Sequence, residues 1–180
     1  MAKSLIITEK PSVAQEFARI LGVSGRNDGY IENDGYVITW CVGHLVSPMD
    51  AAGYDPAYKK WKYDDLPILP EPFRYVLAKG KEDAFQNLKR LMERPDVTEL
   101  VNACDAGREG ELIFRLVYEM AGCRKPFSRL WISSMEDAAI REGFANLRPG
   151  ADYDGLHQAA LCRAKADWLV GINATRLFSV

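Results

Sequence analysis

Thr98-Glu-Leu-Val-Asn-Ala-Cys-Asp-Ala-Gly-Arg-Glu-Gly-Glu-Leu-Ile-Phe-Arg-Leu-Val-Tyr118 decides the fold. Its first part, Thr98 to Cys104, is an apolar run of strand length. Its last part places Leu112, Ile113, Leu116 and Val117, followed by Met120, at the three- and four-residue steps of a helix with one buried face. Between them, Asp105-Ala-Gly-Arg-Glu-Gly-Glu111 crowds three carboxylates and an arginine onto one strand-to-helix turn. Such a cluster repels itself unless a cation or an anionic ligand compensates.

The same alternation extends outward. Ser4 to Thr8 reads as a short buried strand, and Ser12-Val-Ala-Gln15 matches a capping box ahead of Val13, Phe17, Ile20 and Leu21 at helical spacing, with Gly22 as the stop. Tyr30 to Val42 alternates around Asn33-Asp34-Gly35, the pattern of a hairpin. From Pro48 to Pro72 five prolines fall among aromatic residues, which predicts an irregular surface segment. Phe73 to Leu77 is a further strand, and Ala84, Phe85, Leu88, Leu91 and Met92 mark a helix. Phe127 to Ile132 and the helix from Ser134 through Leu147 complete the series. The order β-α-ββ-loop-β-α-β-α-β-α predicts an α/β domain, a mainly parallel sheet flanked by helices. After Pro149-Gly150, the segment from Asp154 onward reads as one long helix that stops at Val180 without a capping signal, so the chain is expected to continue in a longer protein.

Composition narrows the function classes. At 180 residues, 48% hydrophobic and 27% charged, the chain can build one ordinary core, or one domain and the start of another. A net charge of -2 means that any nucleic-acid contact must use a local basic patch. Four cysteines without a C-x-x-C pair and only two histidines argue against zinc and for reduced thiols in the cytoplasm. No run approaches membrane-spanning length.

Ligands in open α/β sheets gather at the carboxyl ends of strands, and two acidic positions meet that condition independently: Glu9 after the first strand and Asp105 after Thr98 to Cys104. Oxygen donors without a cysteine or histidine cluster suit Mg²⁺, and the implied chemistry is phosphoryl transfer. Lys10 and Arg108 would hold phosphate oxygens, one as a point charge and the other as a fork. Solvated charges at a helix start are the plainer alternative for these residues. Neither a P-loop nor a G-x-G-x-x-G signature is present, which counts against those two modes of nucleotide binding. His44, after Gly43, can face a phosphate or be a structural imidazole. Trp61 among Lys59, Lys60 and Lys62 has the makeup that stacks unpaired bases, and also that of a plain exposed loop.

Taken together, Leu5-Ile-Ile-Thr-Glu-Lys-Pro-Ser12, Gly43-His44-Leu45, Asp105 to Glu111 and Arg163-Ala-Lys-Ala-Asp-Trp-Leu-Val-Gly-Ile-Asn-Ala-Thr-Arg176 resemble the N-terminal part of type IA DNA topoisomerases, closest to the bacterial topoisomerase III group. The acidic motif alone also fits the wider TOPRIM superfamily of primases, nucleases and topoisomerases. The resemblance implies a TOPRIM, Rossmann-like domain over residues 1–150 and the first helix of a DNA-binding domain over 151–180. It implies a bacterial, nucleoid-associated enzyme that relaxes or decatenates DNA through a 5'-phosphotyrosine, acting on single-stranded DNA or DNA with unpaired regions. Glu9 would move a proton at the leaving oxygen beside Mg²⁺, and Lys10 would contact the phosphate. Asp105, Glu109 and Glu111 match acidic positions of the D-x-D-R-E-G-E motif, whose second aspartate is here Gly107, and with Glu9 they would hold Mg²⁺. Arg163, Trp168 and Arg176 would meet DNA. The attacking tyrosine lies downstream of the matched region, so the chain by itself is expected not to cleave. A stand-alone TOPRIM nuclease or primase-like protein and a non-catalytic docking module are the rival readings.

Overall fold

The computed structural model describes residues 2–180. Its centre is a seven-stranded sheet in the order β2-β3-β4-β1-β7-β8-β9. The strands are β1 (Lys3–Thr8), β2 (Gly25–Asn27), β3 (Tyr30–Glu32), β4 (Tyr36–Trp40), β7 (Val97–Asn102), β8 (Phe127–Arg129) and β9 (Arg148–Pro149). The inner four, β4, β1, β7 and β8, are parallel, whereas β2 and β3 form an antiparallel extension on one side and β9 closes the other edge antiparallel. Leu5, Ile6 and Ile7 of β1 are wholly buried, as expected for a strand covered on both faces.

Side-chain alternation divides the core. Leu5 and Ile7 pack with Phe85, Leu88 and Leu91 of α3 (Glu82–Glu93) and with Leu112 and Leu116 of α4 (Arg108–Met120). Ile6, on the opposite face, packs with Phe17 and Ile20 of α1 (Pro11–Leu21) and with Ile140 of α5 (Asp137–Ala145). Each such side chain is worth about 1.5–3 kcal/mol when fully buried. The last helix, α6 (Asp154–Leu177), lays Ala160 and Ala164 against the α4 side of this core.

Several sequence expectations change in detail. The hairpin forms around Asn33, whose Oδ1 accepts from the amides of Gly35 and Tyr36. The capping box at Ser12 does not form: Lys10 is the N-cap in extended geometry and Pro11 takes the first helical position, where its missing N–H costs nothing. Phe73 to Leu77 contributes β6 (Tyr75–Leu77), but this strand lies outside the main sheet and pairs only with β5 (Val46–Pro48) in an antiparallel ribbon. Between β5 and β6 the proline-rich segment holds one short turn of helix, α2 (Ala51–Tyr54), and two 3₁₀ turns at Pro56–Lys59 and Tyr63–Asp65.

Candidate active site at the carboxyl edge of the sheet

β1 and β7 are parallel neighbours, so the residues that leave their carboxyl ends must come close together. Glu9 follows β1, Asp105 follows β7, and both line a cleft of about 770 Å³ together with His44, Arg108, Glu109 and Arg163. Lys10 sits between the two acids, its Nζ 3.0 Å from Asp105 Oδ2 and 4.0 Å from Glu9 Oε1. Burial and the negative charge of Asp105 push the Glu9 carboxyl above its ordinary range, against the opposing pull of Lys10 and His44. The hydrogen bond to Asp105 raises the Lys10 ammonium in turn.

The His44 loop is brought in by the backbone. Cys41 N–H donates to Thr8 O and Gly43 N–H to Glu9 O, which ties the exit of β4 to the exit of β1. Val42 turns this corner at φ 55°, a left-handed conformation that a β-branched residue adopts only at a cost of about 1–3 kcal/mol. His44 Nε2 then meets Glu109 Oε1.

The structure therefore brings together Glu9, Lys10, His44, Asp105, Arg108, Glu109 and Arg163. It does not bring Glu111 into the cleft. That carboxylate, expected as a metal ligand, is fully buried on the inner face of α4. Its Oε1 accepts from Arg115 Nε at 2.8 Å and its Oε2 from Asn102 Nδ2 at 3.0 Å, so its oxygens are occupied. Helical spacing keeps Glu111 out of the cleft, because Glu109 and Glu111 lie about 200° apart around α4. Trp61, Trp168 and Arg176 also stand away from the cleft. Trp168 packs edge-on against Tyr54 and Phe73, while buried Arg176 donates to Tyr58 O and covers the ring of Trp61. Asp167 and Tyr75 line the cleft without having been singled out in the sequence. Asp167 was legible as the partner of Arg163 one helical turn on, and the two are 3.2 Å apart.

Oxygen donors alone could take a hard cation here, and the raised Glu9 carboxyl marks the electrostatic stress that a cation would relieve. Among the described residues, however, no group of three or more His, Cys, Asp or Glu is gathered closely enough to hold a metal ion. Glu9 and Asp105 would be the first ligands, with Glu109 joining them on release from His44.

A model of the Toprim domain matches residues 4–135. Over 176 residues the chain is 48% identical to DNA topoisomerase 3 of Bacillus subtilis, and equally to that of Bacillus anthracis, covering 98% of this chain and 24% of each relative. It thus spans about a quarter of the length of these curated relatives. The solved full-length topoisomerase I of Thermotoga maritima superposes with a TM-score of 0.61 at 25% identity, covering 92% of this chain and 24% of that one. A match over most of the chain, on a parallel sheet whose strand ends carry Glu9 and Asp105, means that the chain belongs to the Toprim domain family.

Proposed function

We propose that this chain is the Toprim-bearing N-terminal part of a type IA topoisomerase of the topoisomerase 3 kind, and that its cleft acts on a phosphodiester of unpaired DNA. The observation that carries the reading is the meeting of Glu9 and Asp105 at adjacent strand ends in one cleft, with Lys10 between the two acids. Residues 1–150 form the Toprim unit in this reading, and 151–180 begin the next, helical unit. The site of action is the bacterial nucleoid in the cytoplasm, and among the described residues no helix is long and apolar enough to cross a membrane.

The geometry supports a role for each residue. Glu9, whose carboxyl burial and Asp105 push above its ordinary range, would handle the proton beside a leaving oxygen. Lys10 offers a point charge to the phosphate, and Arg108 and Arg163 offer forks from two sides of the cleft. Mg²⁺ bound by Glu9 and Asp105, with Glu109 in reserve, would supply neutralising charge for a phosphate oxygen. Trp168 and Arg176 shape the flank of α6, and the exposed part of Trp61 remains available to an unpaired base. Tyr75 is the tyrosine that lines the cleft, and burial pushes its hydroxyl up, the wrong direction for a nucleophile. In the topoisomerase reading the attacking group then comes from elsewhere in a longer protein, whereas a self-contained nuclease would use water.

The test is relaxation of negatively supercoiled plasmid by a longer protein carrying this chain. Glu9→Gln is expected to lower the rate about 10²–10⁴-fold, and full retained activity would overturn the role of Glu9. The 180-residue chain with Mg²⁺ is expected to leave the plasmid uncut. Metal-dependent nicking by the chain alone would establish the nuclease alternative instead.

A further inference from the structure

We propose that Arg129, the last residue of β8, is a positioning residue that fixes the backbone of the acidic turn and so aims the carboxylate of Asp105. Arg129 is wholly buried, although it is among the largest and most polar side chains in the interior. Its Nη1 donates to the carbonyls of Cys104 at 2.6 Å, Asn102 at 3.1 Å and Leu130 at 3.1 Å, and its Nη2 donates to Asp105 O at 2.8 Å. The Cys104 and Asp105 carbonyls lie beyond the end of β7, where the guanidinium supplies donors that the sheet no longer can, whereas Asn102 O also accepts from Leu130 N–H. The Asp105 side chain, by contrast, is exposed and held at the surface by Lys10, with the Glu9 carboxyl beside it. The backbone bond from Arg129 is thus what fixes the point from which that carboxylate reaches.

The charge of Arg129 is balanced from below. Glu111 Oε2 stands 3.0 Å from Arg129 Nε, too poorly aligned for a hydrogen bond but close enough for strong attraction in the interior. Glu111 also accepts from Arg115, whose Nη2 donates to Gly150 O at 2.8 Å and whose Nη1 lies 2.9 Å from Asp154 Oδ1 at the start of α6. One ion chain, buried as far as Arg115 and ending at the exposed Asp154, therefore joins the acidic turn to the helix that carries Arg163. The ring of Trp131 lies 5.1 Å above the Arg129 guanidinium and covers it. A lysine at 129 would keep the charge opposite Glu111, but a single ammonium cannot span the carbonyls of Cys104 and Asp105 as the planar fork does.

The proposal rests on the metal reading above, in that Asp105 is taken to ligate a divalent cation, and the experiment separates the two. Mn²⁺ binding to the 180-residue chain is measured by calorimetry and by the electron paramagnetic resonance of the bound ion. Arg129→Lys is expected to weaken Mn²⁺ about tenfold or more and to alter the spectrum, as loss of an outer partner of a ligand does. Leu88→Ala in α3 serves as a control that loosens the core away from the turn and is expected to leave Mn²⁺ affinity unchanged. Equal affinity in Arg129→Lys and the unaltered chain would overturn the proposal. Should Arg129→Lys fail to fold, Trp131→Ala, at a partly exposed ring, uncovers the guanidinium and is expected to weaken Mn²⁺ about two- to fivefold. Unchanged affinity there would overturn the proposal equally. If the unaltered chain binds no Mn²⁺, the metal reading falls by itself. Positioning is then judged on amide exchange at Ala106, Gly107 and Arg108, which Arg129→Lys must accelerate beyond the Leu88→Ala control or the proposal fails.

Discussion

Two glycines of the acidic turn look alike in sequence and are physically opposite. A Cβ on Gly110 would fall 2.1 Å from Asp105 O, a separation that no ordinary packing allows, so the helix start and the turn approach each other only because that atom is absent. Gly110→Ala is expected to cost about 1–3 kcal/mol in urea unfolding, as overpacking does, and to weaken metal binding by displacing Asp105. At Gly107 the backbone is extended and nothing lies within 4 Å of a built Cβ, so any side chain fits. Gly107→Asp is therefore expected to fold normally and to add a carboxylate beside Asp105. In the metal-free chain this adds repulsion, while with Mg²⁺ present it adds a ligand. The rise in melting temperature on adding Mg²⁺ should then be larger for Gly107→Asp than for the unaltered chain. An equal or smaller rise would show that position 107 does not face the metal.

At the scale of elements, α6 does more than follow the sheet. Asn173 on α6 clamps the proline-rich segment through both bonds of one amide: Ile68 N–H donates to its Oδ1 at 2.6 Å and its Nδ2 donates to Ile68 O at 3.0 Å. Since Ile68 is buried, Asn173→Ala leaves its backbone unpaired and is expected to cost about 1–3 kcal/mol, seen as a lower urea midpoint and faster tryptic cutting at Lys59, Lys60 and Lys62. Unchanged cutting would mean that the segment is held elsewhere. This clamp also marks the limit of sequence reading. The strands β1, β7 and β8, the β3–β4 hairpin, the five long helices and the meeting of Glu9 with Asp105 were legible because each is written in local periodicity or in the rule that ligands gather at strand ends, whereas β2, β5, β9 and α2, of two to four residues each, are too short to show a period. The placement of β6 was not, because three residues pair as readily with β5 as with a sheet edge, and tertiary packing decides between them. Glu111 was misjudged for a related reason: a carboxylate inside an acidic motif reads as a ligand. Arg129, within a short strand, carried no signal of its own, and only the fold shows that this arginine and this glutamate neutralise each other in the interior.

For the molecule as a whole, the parallel sheet sorts charge by strand end. The carboxyl ends carry the acids of the cleft, while the amino ends of β1 and β7, with β3 beside them, hold a separate cluster in which Lys3, Glu32, Arg94 and Asp96 pair across three parts of the chain. The Arg94 hydrogen bond holds the Asp96 carboxyl down at about 2. Glu32 is also lowered: burial acts to raise it, but the bonds from Lys3 and Arg94 prevail. Both carboxyls are thus stronger acids folded than unfolded, where Asp and Glu titrate near about 3.9 and 4.3. A depressed acid contributes stability that is fully present above its unfolded value and is lost as pH falls through its folded one. The urea midpoint is expected to lose this contribution as pH drops from about 4 toward 2. The groups are partly exposed, so salt should shrink the effect. Arg94→Met removes the partner common to both acids. It is expected to lower the midpoint at pH 6 and to flatten its fall below pH 4, and an undiminished fall would place the acid sensitivity outside this cluster.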